Sequence, residues 1–166
     1  RLFERAMRKL RLPVAYTEGF SPRPKLSFGL ALSVAHESEA EYLDVELRAP
    51  RDGVPIDLGA LPSRLTAALP DGITVEAAIA IEPGTASLQQ AIVSCDWSIE
   101  VLGASLPEVA DAVARVMAAS ELPMERIRKG KPTVADVRPA ILHLEVSGPT
   151  SDGVELAAHL ATEVVS

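Results

Sequence analysis

Residues 93–101 read VSCDWSIEV, and this stretch bears most directly on the fold. Apolar and polar side chains alternate through it, which is the period of a half-buried β-strand. A helical spacing follows over residues 106–117, where the apolar residues share one face. Because Cys95 and Trp97 occupy the apolar phase of the strand, the pattern predicts that both lie largely buried.

The remainder of the second half continues this strand and helix order. Two further strands are predicted over 122–127 and 134–146, joined by the basic segment 128–132. The Ala-rich stretch 154–164 is predicted to form a closing helix. The predicted order of the second half is therefore βαββα.

The first half shows a related pattern. A helix opens the chain and ends before Pro13, and a loop rich in proline and glycine follows over 18–24. Strands are predicted over 26–32 and 43–47, then a helix over 58–69 and a strand over 73–81. The predicted order of the first half is αββαβ.

Together these patterns predict an α+β protein made of two halves. Residues 83–88 combine proline, glycine and small polar side chains, so they are predicted to link a first half, 1–82, to a second half, 89–166. One more strand beyond each chain end would make each half a ferredoxin-like βαββαβ unit with an antiparallel sheet. We therefore expect two tandem ferredoxin-like halves.

Charge is distributed unevenly along a chain whose net charge is −7. Residues 1–28 carry seven Lys or Arg against two Glu, and residues 125–138 carry five against two acidic residues. The rest of the chain is strongly acidic. Basic clusters of this kind mark faces for phosphate or an acidic partner, although solvated helices and hairpins are also often basic. The sequence leaves both interpretations open.

No set of side chains in the sequence has the pattern of a catalytic centre. Cys95 is the only cysteine, so the chain cannot close a disulfide within itself or supply the thiolates of an iron–sulfur cluster. The three histidines have no metal-ligand spacing, and the glycines form no nucleotide-binding motif. We therefore predict no catalytic residue, no metal and no cofactor, which favours a protein that is not itself an enzyme.

Localisation is predicted from apolar content and from cysteine use. No apolar run approaches the roughly 18 residues of a membrane-spanning helix, and residues 1–5 do not resemble a signal peptide. A single cysteine suits a reducing compartment. We expect a cytoplasmic protein outside the membrane, and we expect further residues before Arg1 because the chain opens within a predicted helix.

Three stretches carry a resemblance to a known family. The first is the basic helix RLFERAMRK at 1–9. The second, PVAYTEGFSPRPKLSF at 13–28, continues with ESEAEYLDVEL at 37–47 and is long and specific. The third, RKGK at 128–131 followed by DVRP at 136–139, is a looser match. Together they resemble the radical SAM-linked protein family, a domain of unknown function found beside or fused to cobalamin-binding radical SAM proteins.

The resemblance implies an accessory protein of a radical SAM enzyme, with a role in RNA or ribosome-related modification. A radical SAM enzyme holds its cluster with three cysteines, so this chain is not the radical generator. We predict a binding module that contacts RNA or another phosphate-rich substrate through a basic surface. The alternative is a protein–protein adaptor that docks a radical SAM protein without touching nucleic acid, with Phe20, Pro22 and Pro24 as anchors.

The predicted contact residues come from the basic helix, the Pro-rich loop and the second basic segment. Arginine and lysine would contact phosphates, while Tyr16 or Phe20 would stack on an unpaired base. The predicted set is Arg5, Arg8, Tyr16, Phe20, Arg23, Lys25, Arg128, Lys129, Lys131 and Arg138. If RNA is the ligand, we expect seven of these residues to converge on one surface, namely Arg5, Arg8, Arg23, Lys25, Arg128, Lys129 and Lys131.

Overall fold

A computed structural model of the chain describes residues 1–30, 32–39, 41–49, 53–82, 84–128 and 130–162. The chain divides into two units, Arg1–Ala91 and Ile92–Ser166. The described residues contain four α-helices and seven β-strands, and all their strand pairings are antiparallel. The predicted α+β class is therefore confirmed, while the tandem ferredoxin-like arrangement and the boundaries at 82 and 89 stay predictions.

The core of the first unit lies between two helices, α1 (Leu2–Lys9) and α2 (Leu61–Thr66). Ala6 and Met7 of α1 form one buried cluster with residues of α2 and the turn after it. The buried residues of α2 and of the turn after it are Leu61, Leu65 and Leu69. The apolar face predicted over 58–69 is thus the face that packs, although the helix itself is shorter than predicted.

A small sheet completes the first unit. Strands β1 (Leu26–Phe28) and β2 (Leu43–Val45) pair with Leu26 opposite Val45. The rings of Phe3 and Phe28 meet edge to face at 6.0 Å, which ties α1 to β1. A short helix, α3 (Leu88–Ala91), ends the unit. Both strands are shorter than the sequence alternation predicted.

The strand predicted over 73–81 is wrong. These residues adopt neither helix nor strand, although Ile73 and Val75 still pack against the core of the unit. The backbone N–H of Val75 donates to the side-chain oxygen of Thr66 at 2.9 Å, which replaces a strand partner at that point. Ile79 is 78% exposed, so the apolar alternation here does not correspond to a buried face.

The second unit contains a three-stranded sheet in the order β3–β7–β6. Its strands are β3 (Ser94–Leu102), β6 (Ile141–Pro149) and β7 (Gly153–Ala161). Helix α4 (Leu106–Ala118) packs on β6 and β7, with Val109 buried against Val154. A separate hairpin joins β4 (Pro123–Arg128) to β5 (Lys131–Asp136). The described residues therefore form three sheets, not the two that were predicted.

The closing helix predicted over 154–164 is also wrong, because residues 153–161 form the central strand β7. Alanine favours helices, but the apolar residues in this segment alternate with period two. Val154, Leu156 and Ala158 are buried, whereas the residues between them are less so. Burial between two partner strands outweighs the high intrinsic helix propensity of the alanines.

The predicted burial of Cys95 and Trp97 does not hold. Cys95 is half-buried, and Trp97 is 37% exposed. The alternation itself is right, since register places Trp97 opposite the buried Ala158. However, β3 is an edge strand, and α4 packs over the other two strands of the sheet. The apolar face of β3 is therefore only partly covered by the second unit.

Two carboxylates of the second unit are held by hydrogen bonds. Glu108 accepts bonds from the hydroxyl of Ser105 at 2.6 Å and from its backbone N–H at 3.0 Å, and these bonds lower its pKa. Asp136 accepts bonds from the backbone N–H groups of Leu122 at 2.7 Å and Arg138 at 3.0 Å, which lower its pKa likewise. Each bond favours the charged form of the carboxyl group.

We expect acid to destabilise the second unit through these two groups. A carboxyl whose pKa is lower in the folded than in the unfolded state stabilises the fold above its unfolded value, and this contribution is lost as pH falls through the folded pKa. The loss should begin at about pH 4. Thermal unfolding midpoints measured across acidic pH should fall less steeply for the double variant Glu108→Gln, Asp136→Asn than for the wild type. An equally steep acid limb in that variant would contradict this assignment.

Candidate functional site

The exposed face of α1 carries a group of basic side chains. Because Ala6 and Met7 are buried, the helical period turns Arg5, Arg8 and Lys9 toward solvent. Within the described part of the chain, no acidic side chain lies within ion-pair distance of these three. Their charges are therefore available to an external anion.

Helix α1 ends in a Schellman motif that places a fourth basic side chain, Arg11. The N–H of Leu12 donates to the carbonyl of Met7, and the N–H of Arg11 donates to that of Arg8, each at 3.0 Å. Arg11 occupies the left-handed position of this motif, with φ of 55°. Glycine usually fills that position, because a Cβ atom there costs roughly 1–2 kcal/mol.

A shallow groove of about 150 Å³ lies between α1 and the extended segment that follows it. Arg8 and Arg11 border it together with one acidic residue, Glu4. Tyr16 and Pro24, which form an antiparallel bridge, contribute to its wall. The other lining residues are apolar, namely Met7, Leu12, Val14 and Leu26. The groove thus brings two arginines and one aromatic residue together, and the predicted contact residues Arg8 and Tyr16 both line it.

A second open groove, of about 550 Å³, lies on the other side of Arg8. Arg5, Arg8 and Lys9 line it together with residues 68–70, which follow α2. Arg8 borders both grooves, so the basic side chains of α1 form one continuous surface. This surface, made of Arg5, Arg8, Lys9 and Arg11 with the wall at Tyr16, is called the α1 surface below.

The loop from 17 to 23 projects from the first unit and is closed at its base. The N–H of Thr17 donates to the carbonyl of Arg23 at 2.8 Å, and the N–H of Arg23 donates to the hydroxyl oxygen of Thr17 at 3.0 Å. Gly19 has φ of 118°, which only glycine adopts readily. Next to it, Phe20 is 110% exposed at the tip of the loop. An aromatic side chain is thus presented on a defined turn.

Arg23 and Lys25 do not line the groove that holds Pro24. Successive side chains of an extended segment point to opposite sides, so these two lie on the side away from Pro24. The ammonium of Lys25 contacts both carboxylate oxygens of Glu46 at 2.8 Å. The structure therefore separates these residues from the groove, and Glu46 partly neutralises Lys25.

Two of the predicted contacts of the second unit, Arg128 and Lys131, belong to the strands of the β4–β5 hairpin. Lys131 is exposed at the start of β5 and pairs in register with Arg128 at the end of β4. Lys129 lies outside the described residues, as does the side chain of Arg128. The expected convergence of these residues with those of the first unit stays a prediction.

Residues 1–165 match a family described as an uncharacterized protein conserved in bacteria, DUF2344. The chain belongs to this family. No curated protein and no solved structure matches it. The DUF2344 match spans both units, so the α1 surface, the 17–23 loop and the β4–β5 hairpin all lie within it. The predicted partnership with radical SAM proteins forms no part of that description and stays a prediction.

In the DUF2344 chain, Arg138 performs a structural task that the sequence patterns did not indicate. Its guanidinium donates to the backbone carbonyls of Met117 at 3.1 Å, Ala119 at 3.2 Å and Ile141 at 2.8 Å. Two of these carbonyls stand at the C-terminal end of α4, where intrahelical donors run out. Asp136 fixes the same turn by accepting from the N–H of Arg138. The prediction that Arg138 contacts a ligand stays a prediction.

The polar face of the β3–β7–β6 sheet holds ionisable groups that are far apart in the sequence. Register places His143 opposite His159. His159 Nδ1 lies 2.7 Å from a carboxylate oxygen of Asp96, and His143 Nε2 lies 3.3 Å from one of Glu145. The described residues contain no group of three or more His, Cys, Asp or Glu that could hold a metal. A period-two reading of 153–161 would have revealed this face.

The length and apolar character of the helices in the DUF2344 chain decide whether any of them could cross a membrane. In the described ranges, none of them combines the length and apolar character that crossing a bilayer requires.

Proposed function

We propose that this DUF2344 protein is an accessory binding module that contacts single-stranded RNA through its first unit and works beside a radical SAM enzyme. The observation that supports RNA contact is the α1 surface, where exposed guanidinium groups border a groove with an aromatic wall. Guanidinium groups recognise phosphates, and an aromatic ring offers a stacking surface for any base. The radical SAM partner comes from the sequence resemblance.

A single strand suits this surface better than a duplex. Bases in a duplex are stacked on each other, so only an unpaired base can lie against a side chain such as Tyr16. The exposed ring of Phe20 offers a second stacking surface on the adjacent loop. Base stacking on an aromatic side chain contributes about 1–3 kcal/mol. Two rings and several cations are enough for a short single strand.

The proposal keeps the tandem ferredoxin-like arrangement for both units. In the second unit, the order β3, α4, β6, β7 is consistent with the first four elements of a βαββαβ unit, with the β4–β5 hairpin inserted. Folds of this class serve many functions, so this likeness supports the architecture and not the ligand.

A protein–protein adaptor is the second candidate, and the exposure of Phe20 favours it. A ring that is 110% exposed contributes little to folding, so its position at the tip of a closed loop suits an anchor for a partner pocket. Pro22 limits the conformations of the same loop. In this function the basic side chains would steer an acidic partner toward the loop.

The double variant Arg23→Ala, Lys25→Ala tests the RNA contact outside the groove. We expect about 3-fold to 10-fold weaker binding of a fluorescein-labelled single-stranded RNA, and a salt dependence whose slope falls by about 0.7 for each lost phosphate contact. The loss should come mainly from Arg23, because Glu46 already neutralises part of the charge of Lys25. Fluorescence polarisation at several salt concentrations measures both quantities.

Glu46→Gln is the matched control, since it releases Lys25 instead of removing it. RNA should bind equally well or more tightly, and stability should change by no more than about 1 kcal/mol, as for other exposed pairs. If the Arg23→Ala, Lys25→Ala variant bound RNA like the wild type but lost a radical SAM partner, the adaptor function would replace RNA binding as the role of Arg23 and Lys25. Loss of that partner in Phe20→Ala would support the same conclusion.

A further inference from the structure

Arg11 holds an unfavourable backbone conformation where a glycine would end α1 more easily. Strained residues of this kind tend to occur at functional sites, where the side chain is needed. Here Arg11 lines the same groove as Tyr16 and Pro24. In the sequence, Arg11 belongs to a basic cluster but is not among the predicted contacts.

We infer that this groove is a nucleotide subsite, in which Tyr16 stacks on one unpaired base while Arg8 and Arg11 hold an adjoining phosphate. The inference rests on the RNA binding proposed above and assigns one nucleotide of the strand to a defined place. The inferred subsite adds Arg11 to the contact residues. Base stacking takes place on the side of Tyr16, and phosphate binding on the side of Arg8 and Arg11.

The size and charge of the groove fit one nucleotide better than a whole cofactor. Its volume of about 150 Å³ is smaller than the roughly 300 Å³ of the smallest typical ligand pockets. A single flat ring placed against Tyr16 needs only one wall, so an open groove is sufficient. Glu4 also lines the groove, but two guanidinium groups leave a net positive charge beside the ring. That combination matches a nucleotide, which joins a flat base to an anionic phosphate.

The variant Arg11→Gly tests two expectations for Arg11, namely that its backbone conformation is strained and that its side chain binds a phosphate. Glycine relieves the backbone, so the thermal unfolding midpoint should rise by about 2 °C. The same change removes one phosphate contact, so affinity for a short fluorescein-labelled single-stranded RNA should fall about 5-fold to 10-fold, and the salt slope by about 0.7. A more stable protein that binds RNA less well is the expected combination.

Tyr16→Leu probes the other side of the groove. Affinity should fall about 10-fold with an unchanged salt slope, because stacking contributes to affinity without releasing counterions. Arg64→Gln is the control, since Arg64 is exposed on α2 and does not line the groove, and it should leave affinity unchanged. The two test variants therefore differ in salt dependence even if they lose similar affinity.

The outcomes separate this inference from the proposed function. If the wild-type protein does not bind the RNA, both are overturned. If the wild type binds and Arg11→Gly binds equally well with an unchanged salt slope, the subsite is overturned while RNA binding stands. A lower unfolding midpoint for Arg11→Gly would overturn the argument from backbone strain, on which the choice of Arg11 depends.

Discussion

Replacing Arg5 and Arg8 together with alanine is expected to weaken binding of a short single-stranded RNA by about 30-fold or more. Each side chain should lose roughly 1 kcal/mol of phosphate contact, and about 1.4 kcal/mol corresponds to a tenfold change in affinity. Arg8 borders both grooves of the α1 surface, so its loss affects two parts of the site. The effect should exceed that of Arg23→Ala, Lys25→Ala.

The matched control is the double variant Arg5→Lys, Arg8→Lys. It keeps both charges, so the salt slope should stay near that of the wild type, while affinity falls moderately because lysine lacks the forked donors of arginine. Both side chains are exposed, so the alanine variant should change the free energy of unfolding by no more than about 0.5 kcal/mol. Equal RNA binding by the alanine variant and the wild type would contradict the role of α1.

Arg138→Ala is expected to lower the free energy of unfolding of the second unit by about 3 kcal/mol. The variant removes three hydrogen bonds and leaves the carbonyls of Met117, Ala119 and Ile141 without their charged donor. Chemical denaturation followed by circular dichroism measures this change.

Two comparisons isolate the bracing role of Arg138. Arg138→Lys should recover only part of the stability, because one ammonium cannot reach three carbonyls with the geometry of a guanidinium. Arg126→Ala removes an exposed charge from β4 and should cost no more than about 0.5 kcal/mol. If Arg138→Ala unfolded like Arg126→Ala, the hydrogen bonds to α4 would not stabilise the unit.

Alternation and helical spacing predicted the elements that carry a regular apolar face. Strand β3 and helices α1 and α4 were found this way, as was the row of buried leucines that begins in α2 and ends in the turn after it. The pattern failed where tertiary partners decide the outcome. The alanines of β7 favour a helix, so its alternation of buried and less buried residues was overlooked. The segment forms a strand because it pairs with a strand on each side. Residues 73–81 alternate as well, but Val75 bonds to a threonine side chain instead of a strand.

The candidate site was partly predictable for a similar reason. Sequence patterns show which residues are basic or aromatic, so residue type and position along the chain were enough to select Arg5, Arg8, Tyr16 and Phe20 as candidate contacts. The patterns do not show how charges are already satisfied, and only the fold revealed that Glu46 pairs with Lys25. The left-handed conformation of Arg11 was equally hidden, because nothing in the sequence marks arginine at that position.

Photochemical crosslinking tests the proposed RNA contact most directly. The wild-type protein would be irradiated with a thiouridine-containing single-stranded RNA, and the crosslinked peptides would be identified by mass spectrometry. We expect crosslinks at Tyr16 and Phe20 in the first unit, and we expect the Arg5→Ala, Arg8→Ala variant to lose most of them. Crosslinks confined to the second unit, or none from a protein that retains its fold, would contradict the proposal that the α1 surface binds RNA.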